Sequence, residues 1–458
     1  MKNVGQNFQV AFALYRRSFA QPLKTAHGLW KVREGILLAL TDPSGRVGLG
    51  EIAPLPDFGS ETLESALEFL TSLKGEIEDW RSVPDSLPCC QFAFEMAGNP
   101  PPNPQFWGSR AGDLGGSIAG VLNSGSSALR HWQDLYQSET RTFKWKIGVL
   151  TLAEELEILN QLCREMPIDV HLRLDANAGL NLEQAQEWLR LCDRWNAQMP
   201  DRIEYLEQPL PVHQFDQLLV LSRQYQTPLA LDESIATYDQ LETCYEKGWR
   251  GIFVVKPAIA GYPSRFRNWL QTHPVQVVFS SVFETEIGWN AGLQLGQELA
   301  GDRALGFGTQ RYFEDRNLSH LGDLKPIAIP AQNAGETIVQ VLAARASKIP
   351  VFLTNPHWGK QEYQQLEECL KDYDRDYYPG TIMIPTGGSS GLLKFSAHTW
   401  ETLQASVQGT QQFWTSIEPS QFPTLNSQFS ILHSPLSTPS VFCRCITSAV
   451  GCNLCDRI

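Results

Sequence analysis

Nowhere in the 458 residues does an uninterrupted apolar run reach 18 positions, so the sequence offers no candidate for a membrane-spanning helix. Phe8 to Tyr15 is too short and too polar for the core of a secretory leader, and a cytoplasmic location is the expectation. Basic blocks are missing as well. With Lys+Arg at 37 against Asp+Glu at 50, a net charge of −13 and a pI of about 5.2, nucleic acid is not an expected partner. Paired-cysteine spacing is absent over most of the chain. Six of the ten cysteines (Cys89, Cys90, Cys163, Cys192, Cys244 and Cys369) are scattered through apolar patterns and read as reduced and buried. What is present, 42% hydrophobic and 19% charged residues, describes an ordinary globular chain with a large core. Its length allows about three domains, or fewer if one is an α/β barrel.

The chain is organised around Arg173-Leu-Asp-Ala-Asn-Ala178, where an apolar run closes on Asp175. Three more runs close on a charge: Ile203-Glu-Tyr-Leu-Glu207, Leu229-Ala-Leu-Asp232 and Gly251-Ile-Phe-Val-Val-Lys256. The charges stand 32, 25 and 24 positions apart. Each interval holds about one strand, one helix and two loops, the content of one βα unit. One unit upstream, Phe143-Lys-Trp-Lys-Ile-Gly148 puts Lys144 and Lys146 on one strand face, because side chains alternate with period two. In a parallel barrel the strand ends meet at one mouth, where catalytic groups collect. Lys144, Lys146 and Lys256 would share that mouth with Asp175, Glu207 and Asp232. Three carboxylates repel one another unless a cation lies between them, and oxygen donors plus waters suit Mg²⁺, with Mn²⁺ as a substitute. Such a site can bind a small-molecule carboxylate and stabilise the dianion left when a lysine removes its α-proton.

Lys-x-Lys, Asp-Ala-Asn, Glu-Gln-Pro, Asp-Glu-Ser and Lys-Pro, in this order, resemble the muconate-lactonising branch of the enolase superfamily. That superfamily pairs a Lys or His base with Mg²⁺. The phrases Arg33-Glu-Gly-Ile-Leu-Leu38, Gly50-Glu-Ile-Ala-Pro-Leu-Pro56 and Glu61-Thr-Leu63 are similar to the capping domain of the o-succinylbenzoate synthase family within it. The resemblance covers residues 8 to 325. It implies a modified (β/α) barrel of TIM type with an N-terminal α+β capping domain. The implied reaction dehydrates 2-succinyl-6-hydroxy-2,4-cyclohexadiene-1-carboxylate to o-succinylbenzoate in menaquinone or phylloquinone biosynthesis. Association with other enzymes of that quinone pathway would be consistent.

The same resemblance distributes roles. Lys146 takes the α-proton and returns it to the departing hydroxyl, and two neighbouring cations, Lys144 and the metal, disfavour its charged form. Lys256 holds the intermediate from the opposite face. Asp175, Glu207 and Asp232 ligate the metal. Arg173 and Asn177 steady Asp175 or the substrate. Ser280, Ser281, Gly308 and Thr309 contact the succinyl carboxylate. Glu204 and Glu233 read as supporting or surface residues. A racemase of N-acyl amino acids or a dipeptide epimerase, using Lys146 and Lys256 as two bases, is the competing function. The charged residues do not separate the two, but the capping phrases favour the lyase.

In chain order, the cap is expected over residues 1–115. Its antiparallel strands are Phe8 to Tyr15, Gly35 to Thr41 and Gly48 to Ala53, with a helix from Thr62 to Leu73. Loops Thr25 to Gly28 and Leu55 to Gly59 would form its lid. The barrel occupies 116–311, with a first strand from Ser117 to Leu122, a seventh from Val275 to Phe283 and an eighth from Arg303 to Gly308. Residues 312–330 return to the cap. Residues 331–429, with helices Glu336 to Arg345 and Gln361 to Leu370, carry Thr381-Ile-Met-Ile-Pro-Thr-Gly-Gly-Ser-Ser-Gly-Leu-Leu-Lys394. This stretch resembles the phosphate loop of adenylate-forming acyl-CoA ligases, notably those acting on o-succinylbenzoate. The adenine pocket and second lysine domain of such ligases are missing, and a chain stopping near Ala331 is expected to fold and work alone. Residues 430–458 read as a disordered tail. Cys443, Cys445, Cys452 and Cys455 form at best a weak zinc pattern within it.

Overall fold

The structure, a computed structural model, describes residues 7–25, 28–99, 118–313, 326–371, 380–386 and 393–406. The glycine-rich loop centred on residue 389 and the cysteines of the tail lie outside the described residues.

The cap begins with β1 (Phe8–Thr25), β2 (Gly28–Thr41) and β3 (Val47–Ile52). It continues through α1 (Leu63–Ser72), β4 (Glu76–Ile77) and α2 (Pro88–Gly98). Its antiparallel sheet runs β3-β2-β1-β4. The first two strands are far longer than the apolar pattern of Phe8 to Tyr15 and Gly35 to Thr41 suggested. Period-two alternation continues past Tyr15: Tyr15 and Phe19 are buried, while Leu14, Arg16, Ser18 and Ala20 face out. Arg17 holds an inward position between them and hid the pattern. Of the lid expected at Thr25 to Gly28, the two ends pair with each other as the last rung of the β1–β2 hairpin, and residues 26–27 lie outside the described residues. Helix α2 lies directly on β3 because two strand positions carry glycine. A Cβ on Gly48 or Gly50 would sit 1.8 or 2.1 Å from the carbonyl oxygens of Ala97 and Ala93.

The barrel alternates strand and helix. It opens with β5 (Gly120–Val121), α3 (Ala128–Gln137), β6 (Thr142–Lys146), α4 (Leu152–Glu165), β7 (His171–Asp175) and α5 (Leu182–Gln198). Then come β8 (Ile203–Glu207), α6 (Phe215–Gln224), β9 (Leu229–Leu231), α7 (Tyr238–Glu246) and β10 (Ile252–Val255). It ends with α8 (Pro257–Ala260), α9 (Pro263–Leu270), β11 (Gln276–Phe279) and α10 (Glu286–Leu299). Strands β5 to β11 form one parallel sheet in sequence order. The expected eighth strand shrinks to two parallel bridges, Ile118 with Leu305 and Ser280 with Gly306, which join the sheet's two edges. Capping boxes at Thr151/Glu154, Asn181/Gln184 and Thr237/Gln240 start α4, α5 and α7.

Beyond the barrel, Phe313 stacks on Phe19 of the cap at 4.7 Å. Residues 314–325 lie outside the described residues. A third sheet follows, built from β12 (Ile327–Pro330), α11 (Ala334–Ala346), β13 (Val351–Thr354), α12 (Lys360–Lys371), β14 (Ile382–Thr386) and β15 (Lys394–His398). The strand order is β12-β13-β14-β15. Of the segment 312–330 expected to return to the cap, Phe313 and Ile329 pack against cap residues, while Ile327–Pro330 also pairs in parallel with Val351–Thr354.

The third sheet is not a separate appendage. Ile338, Val339 and Leu342 of α11 share one core with Tyr15, Leu37, Ala39, Val47 and Leu49 of the cap. Arg345 makes two hydrogen bonds to Glu286, 3.0 and 2.9 Å, in the first turn of α10. A chain ending at Ala331 would leave that apolar face bare, contrary to the expectation that it suffices alone. Such a truncation should melt about 5 °C or more below the full chain and bind a hydrophobic dye; an unchanged melting temperature would show that α11 adds nothing. Among the described residues, no helix is long and apolar enough to cross a membrane. Cys89, Cys90, Cys163, Cys192 and Cys244 are free and buried.

Candidate active site

Register builds the site. Lys146 of β6 pairs with Asp175 of β7, and Asp175 with Glu207 of β8. These three residues end adjacent strands side by side. Two buried side chains hold the loops that follow. Glu155 accepts the backbone N–H groups of Gly148, Val149 and Leu150 at 2.7 to 3.0 Å, pinning the turn after Lys146. Gln208 accepts from the N–H of Asp232 at 3.0 Å and donates to Ser234 Oγ at 2.9 Å, tying the Glu207 loop to the Asp232 loop. Asn177, Ala178, Gln208 and Phe283 hold φ values of 44°, 57°, 33° and 66°. Left-handed non-glycine residues of this kind cluster where surrounding structure enforces a functional geometry.

Lys144 Nζ lies 2.8 Å from both Asp175 Oδ2 and Glu207 Oε1. Lys256 Nζ pairs with Asp232 and sits 3.8 Å over the Phe58 ring of the cap. Burial opposes the Lys144 ammonium, yet Asp175 and Glu207 overcome it and hold the group firmly charged. Burial and then the neighbouring Asp175 push the Glu207 carboxyl well up. Asp175 is desolvated too, but Lys144 draws it below the ordinary carboxylate range. The two carboxylates thus compete for one ammonium.

A cavity of about 240 Å³ gathers these groups with cap residues Leu23, Trp30, Leu55 and Phe58. The loop Leu55 to Gly59 does reach over the mouth. Lys144, Lys146, Lys256, Asp175, Asp232 and Asn177 line the cavity, as do Ser280, Ser281 and Thr309. Glu207 is 0% exposed and lies behind Lys144. Arg173 also borders the cavity, but its N–H groups go to Glu204, at 2.7 and 3.1 Å, and to the Ala304 carbonyl. Asn177 donates its backbone N–H to Asp175 at 3.0 Å and its side-chain amide to Glu233 at 3.2 Å. Gly308 turns toward Ala119, whose carbonyl an added Cβ would meet at 2.8 Å.

Sequence reasoning undervalued several residues. Glu233 borders the cavity, and burial followed by Asp232 pushes its carboxyl up to about 8. Tyr205, two residues before Glu207 on an inward position, forms part of the cavity wall. That spacing alone could have identified it. Glu284, fully buried behind Ser281, carries no signal in its local sequence.

Among the described residues, no three His, Cys, Asp or Glu side chains converge as ready-made metal ligands. The carboxylates turn to the lysines instead. The donor set nevertheless fits a divalent cation. Asp175, Glu207 and Asp232 bring three carboxyl groups to neighbouring strand ends, and Glu207 Oε2 is buried without a hydrogen-bond partner. Oxygen donors of this kind suit a hard cation.

Two family descriptions match the chain: "MenC, N-terminal domain" over residues 14–99 and "Enolase C-terminal domain-like" over 127–325. Both end before the third sheet, and the ligase likeness of that segment is not confirmed. The o-succinylbenzoate synthase of Thermosynechococcus vestitus is 38% identical over 307 residues, 65% of this chain and 92% of that protein. The Mg-complexed crystal structure of o-succinylbenzoate synthase from Thermosynechococcus elongatus BP-1 is 36% identical with a TM-score of 0.60. The superposition covers 66% of this chain and 94% of that one. An L-Ala-D/L-Glu epimerase from Bacillus subtilis, 20% identical with a TM-score of 0.54 over 67% of this chain and 91% of its own, shares the fold. A capping sheet carrying one family description and a barrel carrying the other, with that identity over nearly the whole of a curated relative, leave one conclusion: this chain belongs to the o-succinylbenzoate synthase family of the enolase superfamily.

Proposed function

We propose that Lys146 is the acid–base residue of the family's reaction, the dehydration of 2-succinyl-6-hydroxy-2,4-cyclohexadiene-1-carboxylate to o-succinylbenzoate. The supporting observation is that Lys146 and Lys256 border one cavity from separate strands, with Asp175, Glu207 and Asp232 at the strand ends between them. Lys146 Nζ takes the proton from the ring carbon that bears the carboxylate. The electron pair left behind enters the ring as the neighbouring C–O bond breaks, and the departing hydroxyl leaves as water with the proton that Lys146 returns. Aromatisation drives the step. Lys256, held by Asp232 and the Phe58 ring, keeps positive charge on the opposite side of the cavity. Arg173 spends its donors inside the protein and steadies the barrel wall beneath the site.

Asp175, Glu207 and Asp232 would hold Mg²⁺, with Lys144 bracing the first two; Mn²⁺ would substitute, having the same preference for oxygen. When bound, the cation supplies positive charge where the substrate's ring carboxylate gains a second negative one. Gly308 lets the chain pass close to the Ala119 carbonyl beside Thr309.

A head-to-head assay tests the assignment. Offered the cyclohexadiene and an N-succinyl amino acid in separate reactions with Mg²⁺, the protein should turn over the first with the larger kcat/KM. Racemisation of the second without o-succinylbenzoate formation would replace the lyase by a two-base racemase.

A further inference from the structure

The product is a dicarboxylate, and its second carboxylate must find donors on the side of the cavity away from Asp175, Glu207 and Asp232. Ser281 and Thr309 stand there, at the ends of β11 and of the bridging segment after it. Their hydroxyl oxygens are 2.8 Å apart. Behind them, Ser281 Oγ contacts the carboxyl of Glu284, which is 0% exposed. Phe283, in its left-handed conformation, donates its N–H to the same Ser281 oxygen at 3.1 Å.

We propose that Glu284 is the positioning residue of the second-carboxylate subsite: its carboxyl sets the direction of the Ser281–Thr309 hydroxyl pair so that an O–H points into the cavity. This deepens the proposed function and rests on it. A hydroxyl has one O–H and can accept two bonds. One acceptor site of Ser281 is filled by the Phe283 N–H. If Glu284 donates its own proton, the second site is filled, Ser281 must donate to Thr309, and the Thr309 O–H is left for the cavity. If Glu284 were a carboxylate, Ser281 would donate to it and Thr309 to Ser281. The cavity would then face lone pairs backed by a buried negative charge, which repels an anion.

The surroundings favour the first arrangement. Glu284 Oε1 finds no hydrogen-bond partner of good geometry. Arg17 reaches this corner from the cap but places its guanidinium on the Glu284 backbone carbonyl, 2.9 Å, and on Gln310. The nearest acidic neighbour, Glu51, is itself buried, bonded to Tyr15 at 2.6 Å and to the N–H of Thr285 at 2.8 Å. Burial raises the Glu284 carboxyl above its ordinary range; the Ser281 hydroxyl and nearby amides lower it, and Glu51 adds to the rise.

Two probes separate a subsite from a general structural role. Binding of o-succinylbenzoate and of 2-butanoylbenzoate, which replaces the terminal carboxylate by a methyl group, is measured by calorimetry with Mg²⁺ present. Glu284→Leu and Thr309→Val should weaken o-succinylbenzoate about tenfold and leave 2-butanoylbenzoate unchanged, since a hydrogen bond to a charged group is lost. Glu284→Gln, whose amide can donate to Ser281, should restore most of the affinity. Equal weakening of both ligands, or no change in either, would overturn the assignment. Failure of o-succinylbenzoate to bind the unaltered protein would instead remove the functional reading beneath it.

Discussion

Replacing Lys146 by alanine is expected to lower o-succinylbenzoate formation by about 10⁴-fold, the upper range for loss of a general acid–base group. Lys146 stands in register with Asp175 on the neighbouring strand and borders the cavity, and the turn after it is locked by the three N–H groups that Glu155 accepts. Lys144, on the same strand face, cannot stand in for it, because its Nζ is committed between Asp175 and Glu207. Lys256 occupies the other side, paired with Asp232. Its replacement by alanine should slow turnover severely while leaving proton transfer with Lys146. Retention of more than a tenth of the unaltered rate by Lys146→Ala would remove that residue from the chemistry. Continued exchange of the α-proton of an N-succinyl amino acid by the same variant would show Lys256 acting as a second base.

Chelation should be as damaging. With divalent cations stripped, o-succinylbenzoate formation should fall to background and return on adding Mg²⁺ or Mn²⁺. A readout independent of turnover is available, because a ligand that binds the folded state raises the melting temperature by mass action. Mg²⁺ should therefore raise the melting temperature of the unaltered protein and not that of Glu207→Gln, which keeps the shape of the side chain and removes its charge. The stripped protein retains three carboxylates that share Lys144 and Lys256, and burial and Asp175 already push the Glu207 carboxyl up. Full turnover in excess chelator, or a Mg²⁺ response unaltered in Glu207→Gln, would exclude these carboxylates as the cation's ligands.

Much of the site was legible because a parallel strand buried on both faces reads as an unbroken apolar run, and a charge that ends it stands out. Asp175, Glu207, Asp232 and Lys256 each close such a run, and Lys144 and Lys146 share a face by simple alternation. The hairpin of β1 and β2 was half hidden, since inward-facing Arg17 interrupts the pattern that Tyr15 and Phe19 continue. The closure of the barrel was blurred for a different reason: Ile118 with Leu305 and Ser280 with Gly306 make only isolated bridges, too short to carry a periodic signal. Long-range packing left no local trace at all. Nothing within Ala334–Ala346 says that its apolar face lies against Leu37 and Val47. Glu284 was illegible likewise, because its importance lies in being buried beside Ser281, and burial of a lone carboxylate is not written in its neighbours.

The direction of the proton is the decisive quantity. With substrate deuterated at the ring carbon bearing the carboxylate, dehydration by the unaltered protein should slow relative to the protiated form. The residual turnover of Lys256→Ala should show the same slowing, and Lys146→Ala should make no o-succinylbenzoate above background. Isotope-sensitive dehydration surviving in Lys146→Ala and absent from Lys256→Ala would place the base on the opposite side of the cavity and contradict the assignment of Lys146.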